Sequence, residues 1–306
     1  MGKTALLFPG QGAQSVGMGA DVYQAFPKAR ELFDRADEIL GFNLSAVCFE
    51  GPEDRLNATD VSQPAIFVTS VVLAELWAEG PGRDVKADAT AGLSLGEYTA
   101  LWAAGSLSFE DGVRLTRRRG ELMQAAAEAN PSTMVSIMGL DEEQVKNICE
   151  AASALGIISP ANFNCPGQIV VSGSKEACAK ALTLAEEAGG RAVELKVAGA
   201  FHSRLMDSAA QGLEQELQAT TLADLRLPVV ANVTADYYGS VADVRPMLVR
   251  QLTSSILWQK SMERLLAGGF DTFYEIGPGR VLRGLMKKID RSAAVTTVNS
   301  AAEVGA

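Results

Sequence analysis

The chain contains a single histidine, His202, in 306 residues. Sites that need two imidazoles are therefore excluded, the H-E-x-x-H zinc enzymes among them. Its four cysteines, Cys48, Cys149, Cys165 and Cys178, show neither paired nor metal-like spacing, so reduced thiols and no metal site are expected. Long hydrophobic runs are lacking as well. The longest, Ala65 to Ala78, is interrupted by Thr69, Ser70 and Glu75 and reads as a core helix, not a membrane span. The apolar run near the start, Ala5 to Phe8, stops at Pro9-Gly10, far short of a leader segment, and Leu6 stands where a myristoylation pattern wants Ser or Thr. Positive charge is the minority sign: 27 Lys and Arg face 37 Asp and Glu, a net charge of −10. With no basic tract or aromatic–basic platform, nucleic-acid binding is not expected. The expectation is a cytoplasmic, monomeric protein that engages neither nucleic acid nor membrane.

What is present centres on Gly92-Leu93-Ser94-Leu95-Gly96, the G-x-S-x-G spacing of a nucleophile elbow. A serine at the tip of a tight strand-to-helix turn exposes its hydroxyl, and glycines two residues to either side let strand and helix pass without a Cβ clash. The next backbone N–H, that of Leu95, then faces the space where an oxyanion develops. The context agrees: Ala87 to Ala91 reads as a short buried strand and Glu97 to Ala104 as a helix ending at Gly105. G-x-S-x-G by itself is a weak signal in a chain with 29 glycines. An ordinary Gly/Ser turn is the competing reading.

Lys3 to Phe8 reads as a first strand running into Pro9-Gly10-Gln11-Gly12-Ala13-Gln14-Ser15. This glycine-rich loop matches neither a dinucleotide fingerprint, since Ser15 stands where a third glycine belongs, nor a Walker loop. It can still aim free N–H groups at an anion. Helices are expected over Asp21–Leu40 with a break at Pro27, over Pro52–Leu56 and Gln63–Ala78, and from a cap at Ser108 to about Ala129. The last of these carries Arg114, Arg117, Arg118 and Arg119, of which at least two of the triplet read as a solvated face. From Ser132 to Val197 the pattern becomes strand, helix, two strands, helix, strand. The two middle strands, Gly156–Ser159 and Gln168–Ser172, are joined by a loop holding Asn162 to Gly167. That order is a ferredoxin-like βαββαβ unit inserted in a larger α/β domain. Residues 1–130 and 198–306 are expected to form an α/β-hydrolase-like catalytic core with a parallel sheet, and 131–197 the small subdomain. Strands at 229–232 and 272–276 and helices at 203–219, 244–251, 258–267 and 281–289 complete the core, with a frayed end.

His202 is the one side chain able to serve Ser94 as an imidazole base. A lone histidine is more often structural, but this one follows a strand, where α/β sites gather their loops. No acid is singled out by spacing as a third member. Arg119 suits a substrate with a free carboxylate, which a guanidinium holds in bidentate fashion and without which the guanidinium is left unpaired.

Eight stretches together resemble the malonyl-CoA:acyl-carrier-protein transacylases of fatty-acid synthesis and the acyltransferase domains of polyketide synthases. They are Phe8–Gln14, Gln63-Pro64-Ala65, Gly92–Tyr98, Arg119-Gly120-x-x-Met123, Asn162–Gln168, Phe201-His202-Ser203, Val249–Leu252 and Glu275–Gly279. The resemblance implies Ser94 as nucleophile, His202 as base, and the Gln11 and Leu95 amides as oxyanion hole. It implies Arg119 as clamp for a malonyl carboxylate, a backbone carbonyl at Gln251 orienting the histidine, and Phe201 crowding out a methyl branch. Malonyl-CoA is then the substrate, the phosphopantetheine thiol of holo acyl carrier protein the acceptor, and no bound cofactor is implied. Docking of that acidic partner is expected to involve Lys287 and Lys288, with Arg117, Arg204 and Arg283 as further candidates. Leu93 departs from the family, which often has histidine there. Two other readings are a serine esterase or thioesterase of the α/β-hydrolase type and a non-catalytic carrier-protein-binding module.

Overall fold

In the computed structural model, which describes residues 2–306, Lys3–Phe8 forms β1 at the centre of a five-stranded sheet. Its Ala5, Leu7 and Phe8 are wholly buried, as expected of a strand covered on both faces. The neighbours are β2 (Ala89–Gly92) and β8 (Phe270–Ile276), with β7 (Val229–Val230) and β9 (Ala294–Val298) at the edges in the order β7-β2-β1-β8-β9. Every pairing is parallel. Phe8 lies opposite Gly92 in the β1–β2 register, so the glycine-rich loop and the elbow leave the same end of adjacent strands. Ligands of open parallel sheets bind at that carboxyl end.

The second sheet is antiparallel and comprises β3 (Ser132–Met138), β4 (Ile158–Cys165), β5 (Gln168–Ser174) and β6 (Arg191–Glu194), in the order β4-β5-β3-β6. Helices Glu142–Ala152 and Lys175–Glu187 cover it through Val145, Ile148, Cys178 and Ala181, which meet Val135, Ile137 and Val171 in a core of their own. Strand order and helix placement are those of the ferredoxin-like unit. The fold is α/β: a parallel sheet joined to this antiparallel one.

Helix Thr59–Glu79 is long and apolar enough to span a membrane by composition, yet 89% of its most apolar window is buried inside the protein. It is apolar on all sides because it is surrounded. Pro64 has no N–H for the Asp60 carbonyl one turn back. That carbonyl accepts instead from Arg117 Nη1 at 2.8 Å, while Asp60 Oδ2 takes a second bond from the same nitrogen at 2.8 Å. Helix Phe109–Ala129 crosses here at Gly120, where a Cβ would sit 2.5 Å from the Thr59 carbonyl oxygen. The close crossing brings Arg119 and Met123 onto Gln63.

Several boundaries differ from expectation. The expected loop holding Asn162 to Gly167 is mostly strand: β4 continues to Cys165, and only Pro166-Gly167 turns. Asn, Pro and Gly there read as turn formers, but β4 pairs with β5 on one edge and with Ile256 on the other, through Phe163 N to Ile256 O at 2.9 Å and Ile256 N to Ala161 O at 2.8 Å. Such pairing overrides local preference. Register shifts at Pro160/Asn162 and Phe163/Cys165 re-aim the asparagines. The end is not frayed. β9 closes the sheet edge, with Val298 1% and Val304 2% exposed. The strand expected over 229–232 ends at Val230, because Asn232 turns to the elbow. The helix Leu44–Glu50 had no sequence counterpart in the expectation.

Candidate active site

The tight turn after β2 explains its own sequence. A Cβ on Gly92 would stand 1.9 Å from the Gly96 carbonyl carbon, and one on Gly96 would stand 2.1 Å from the Phe8 carbonyl oxygen. Only glycine fits at either position. Between them Ser94 adopts φ 51°, a left-handed conformation that places its hydroxyl at the open end of the sheet. Asn232 fastens the turn from below: its Oδ1 accepts from Ser94 N at 2.7 Å and its Nδ2 donates to Gly92 O at 2.7 Å.

His202 also has positive φ, 59°, and is 5% exposed. Its Nε2 lies 2.9 Å from Ser94 Oγ and its Nδ1 2.8 Å from the backbone carbonyl of Gln251. A carbonyl only accepts, so Nδ1 carries the proton, and Nε2 is left to accept from the serine hydroxyl. Burial first, and the Arg119 charge second, push the imidazole down to about 3, which keeps it neutral throughout the physiological range.

Arg119 is 1% exposed. Nη1 donates to Gln63 Oε1 at 2.7 Å, and Nη2 to Gln251 Oε1 at 2.8 Å and to Ser94 Oγ at 3.2 Å. The guanidinium lies over the Tyr98 ring, 5.3 Å from its centroid, and its Nε has no partner. Its neighbours in the triplet are spent on surface ion pairs, Arg117 with Asp60 and Glu121, Arg118 with Glu121 and Glu216. Beneath Gln251 lies Glu97, 1% exposed, which accepts from Tyr238 Oη, Asn232 N and Gln251 Nε2.

Ser94 and His202 open on a cavity of about 420 Å³ walled by both sheets. Gly10, Gln11 and Leu93 line it from the parallel side, and Asn162, Asn164 and Leu195 from the antiparallel side. Among the described residues, no protein acceptor takes the backbone N–H of Gln11 or of Leu95. A Cβ on Gly10 would come within 3.7 Å of Leu95 N, so the two loops run side by side. Phe201, 5% exposed, forms part of the cavity wall. Lys288 reaches the rim, donating to Gln168 Oε1 at 2.9 Å, and Lys287 is exposed beside it on helix Val281–Ile289. Arg204 lines a separate depression with Ser153 and Thr253, away from this mouth.

Thus Ser94, His202, Arg119 and Gln251 converge, with Gln11 and Leu95 adjacent. Four residues of the same network went unassigned in the sequence: Gln63, Glu97, Asn232 and Tyr238. Two of them, Gln63 and Glu97, fall inside stretches that carried the family resemblance. Asn232 and Tyr238 lie in an irregular segment with no local signal.

The family model for the acyl transferase domain matches residues 5–306. Over 301 residues the chain is 44% identical to the malonyl CoA-acyl carrier protein transacylase of Bacillus subtilis (strain 168), covering 98% of this chain and 94% of that protein. The crystal structure of malonyl CoA-acyl carrier protein transacylase from Clostridium perfringens superposes with a TM-score of 0.93 at 39% identity, over 99% of this chain and 95% of that one. A malonyl-transacylase solved in complex with a type II PKS acyl-carrier protein gives 0.94 at 39% identity, over 99% and 97%. With a family model and relatives matching end to end, this chain belongs to the acyl transferase family.

Proposed function

We propose that this acyltransferase moves a malonyl group from malonyl-CoA to the phosphopantetheine thiol of holo acyl carrier protein, through an ester on Ser94. The observation that carries this reading is Arg119. It is a buried guanidinium, hydrogen-bonded to the Ser94 hydroxyl at 3.2 Å and held by two neutral amides with no carboxylate of its own. Such a group suits an acyl chain that ends in a carboxylate.

The geometry supports the following steps. His202 Nε2 takes the Ser94 proton as Oγ adds to the thioester carbonyl. The oxyanion is placed between the Gln11 and Leu95 amides. Collapse breaks the C–S bond, and His202 returns the proton to the departing CoA sulfur. In the second half the carrier thiol gives its proton to His202 and adds to the malonyl ester, and Ser94 leaves with that proton. Every step is an acyl or proton transfer, so neither a metal nor a redox cofactor is required. The Gln251 carbonyl fills the place an acid holds in a triad. Phe201 narrows the acyl pocket, and Asn164, whose buried Oδ1 has no partner, faces the path of the arm's amides. On this reading 1–130 and 198–306 act as the catalytic core, and 131–197 as the wall that closes over the arm.

Brief incubation with malonyl-CoA is expected to add one malonyl group to the intact protein. Holo carrier protein is expected to discharge it with little free malonate. Rapid malonate release without carrier would favour the esterase reading. Carrier binding with neither adduct nor malonate would favour the non-catalytic module.

Carrier docking is assigned to Lys288, which reaches the rim at Gln168, and to its exposed neighbour Lys287, on an otherwise acidic protein. The double change Lys287→Glu/Lys288→Glu is expected to raise the KM for carrier protein about tenfold and to leave malonylation by malonyl-CoA unchanged. Added salt should weaken wild-type transfer in the same parameter. Equal KM in the two proteins across ionic strength would remove these lysines from the docking site.

A further inference from the structure

Gln251 is the junction of the site, and one of its partners has no part in the steps above. Its backbone carbonyl accepts from His202 Nδ1 at 2.8 Å, and its side-chain Oε1 accepts from Arg119 Nη2 at 2.8 Å. Its Nε2 donates to the Ser94 carbonyl at 3.0 Å and to Glu97 Oε2. A side-chain amide can be turned end for end unless its neighbours tell oxygen from nitrogen. Arg119 can only donate. The Ser94 carbonyl and an ionised Glu97 can only accept. Reversing the amide would set N–H against guanidinium and oxygen against carboxylate.

We propose that Glu97 is a positioning residue for acyl selection: as a carboxylate it holds the Gln251 amide with Oε1 toward Arg119, and so keeps the guanidinium aimed at the acyl carboxylate beside Ser94. The inference rests on the malonyl-transfer reading above. Glu97 reaches the guanidinium through Gln251, so that effect is on which acyl group is accepted, while its bond from Asn232 N supports the elbow separately. The orientation of His202 runs through the Gln251 main-chain carbonyl, which turning the side chain leaves in place.

The same arrangement is sensitive to pH. Burial pushes the Glu97 carboxyl up to about 7, against the pull of the Tyr238, Gln251 and Asn232 hydrogen bonds and the Arg119 charge. The charged and titratable groups around it are Arg119 from helix Phe109–Ala129, Tyr238 from the segment after β7, and Tyr98 next to it on its own helix. As pH falls through about 7 the carboxyl gains a proton and can donate to Oε1, so it no longer distinguishes the two amide orientations. His202, held near 3, stays neutral over that interval. Malonylation is therefore expected to decline toward acid with an apparent pKa near that of Glu97.

Glu97→Gln keeps the size and fixes the neutral form. Two rates on the intact protein separate the possibilities: Ser94 malonylation by malonyl-CoA, and Ser94 labelling by an uncharged fluorophosphonate, each followed as a function of pH. In Glu97→Gln, malonylation at mildly alkaline pH should fall about 10- to 100-fold, the scale of one charge-assisted hydrogen bond, and lose its acidic limb. Fluorophosphonate labelling should stay within about threefold of wild type. Tyr238→Phe removes a donor that holds the Glu97 carboxyl down, so the wild-type limb should move to higher pH. Wild-type malonylation in Glu97→Gln, parallel loss of both rates, or an unmoved limb in Tyr238→Phe overturns the proposal while the transfer reading stands. A wild-type protein that forms no malonyl-Ser94 overturns both.

Discussion

Replacing Ser94 by alanine is expected to leave a folded protein with no acyl-enzyme and a transfer rate lower by about 10⁶-fold, the usual effect of deleting a serine nucleophile. The change removes one oxygen and keeps the backbone demand, because alanine and serine tolerate the 51° φ about equally poorly. Two hydrogen bonds are lost, those to His202 at 2.9 Å and Arg119 at 3.2 Å, with a stability effect on the order of 1 kcal/mol. The turn itself is held by Asn232 and the flanking glycines, none of which touches the hydroxyl. None of the four cysteines stands ready in its place. The thiols of Cys48, Cys149 and Cys178 are pushed up to about 12 by burial, and Cys165 is raised for the same reason. Intact-mass measurement after malonyl-CoA treatment checks this directly. An undiminished malonyl adduct on Ser94→Ala would move the chemistry to another residue and remove the elbow from the mechanism. His202→Ala combined with Ser94→Ala should cost no more than Ser94→Ala alone, since the two act as a unit.

Much of this site was legible in the sequence because it is encoded locally. The elbow needs glycine at two fixed offsets from a serine, and the steric reason is the one the structure displays at Gly92 and Gly96. The parallel sheet was legible because β1 and β2 are short, small and apolar without alternation. The ferredoxin-like unit came from the period of its elements, and its register was fixed by Val135, Ile137 and Val171 facing one pair of helices. What escaped has no local code. A histidine oriented by a main-chain carbonyl leaves no trace in residue type, since any residue could supply one; Gln251 entered through family resemblance alone. Asn232, Glu97 and Tyr238 lie 135 to 141 residues apart in their pairings, and only the fold brings a buried carboxylate under the elbow. Asn162 to Cys165 failed for the opposite reason. Turn-forming residues were recognised correctly there, but backbone pairing to Ile256 and β5 keeps them extended.

Arg119→Ala is expected to reduce Ser94 malonylation by about 10²- to 10³-fold while acylation by a neutral short-chain thioester is retained, so that the preference for malonyl over acetyl collapses. The size is that of truncating one partner of a buried, hydrogen-bonded charge pair, ~2–5 kcal/mol. Gln63 and Gln251 each lose a donor, and the cavity at Arg119 is polar enough to admit water in its place. Arg119→Lys retains charge but loses the planar fork, and should fall between. A second effect follows from the same charge. Arg119 is the second cause, after burial, of the low His202 pKa of about 3. A malonyl carboxylate on the guanidinium would offset that charge and make the imidazole a better base when the correct acyl group arrives. An acetyl group brings no such compensation. Because His202 is the chain's one histidine, its ring resonances in an NMR titration report this without ambiguity. In Arg119→Ala the imidazole should titrate at higher pH than in wild type, still below the usual imidazole value because burial remains. An unchanged titration would show that Arg119 selects the acyl group by contact alone, and retained malonyl preference would show that it does not select at all.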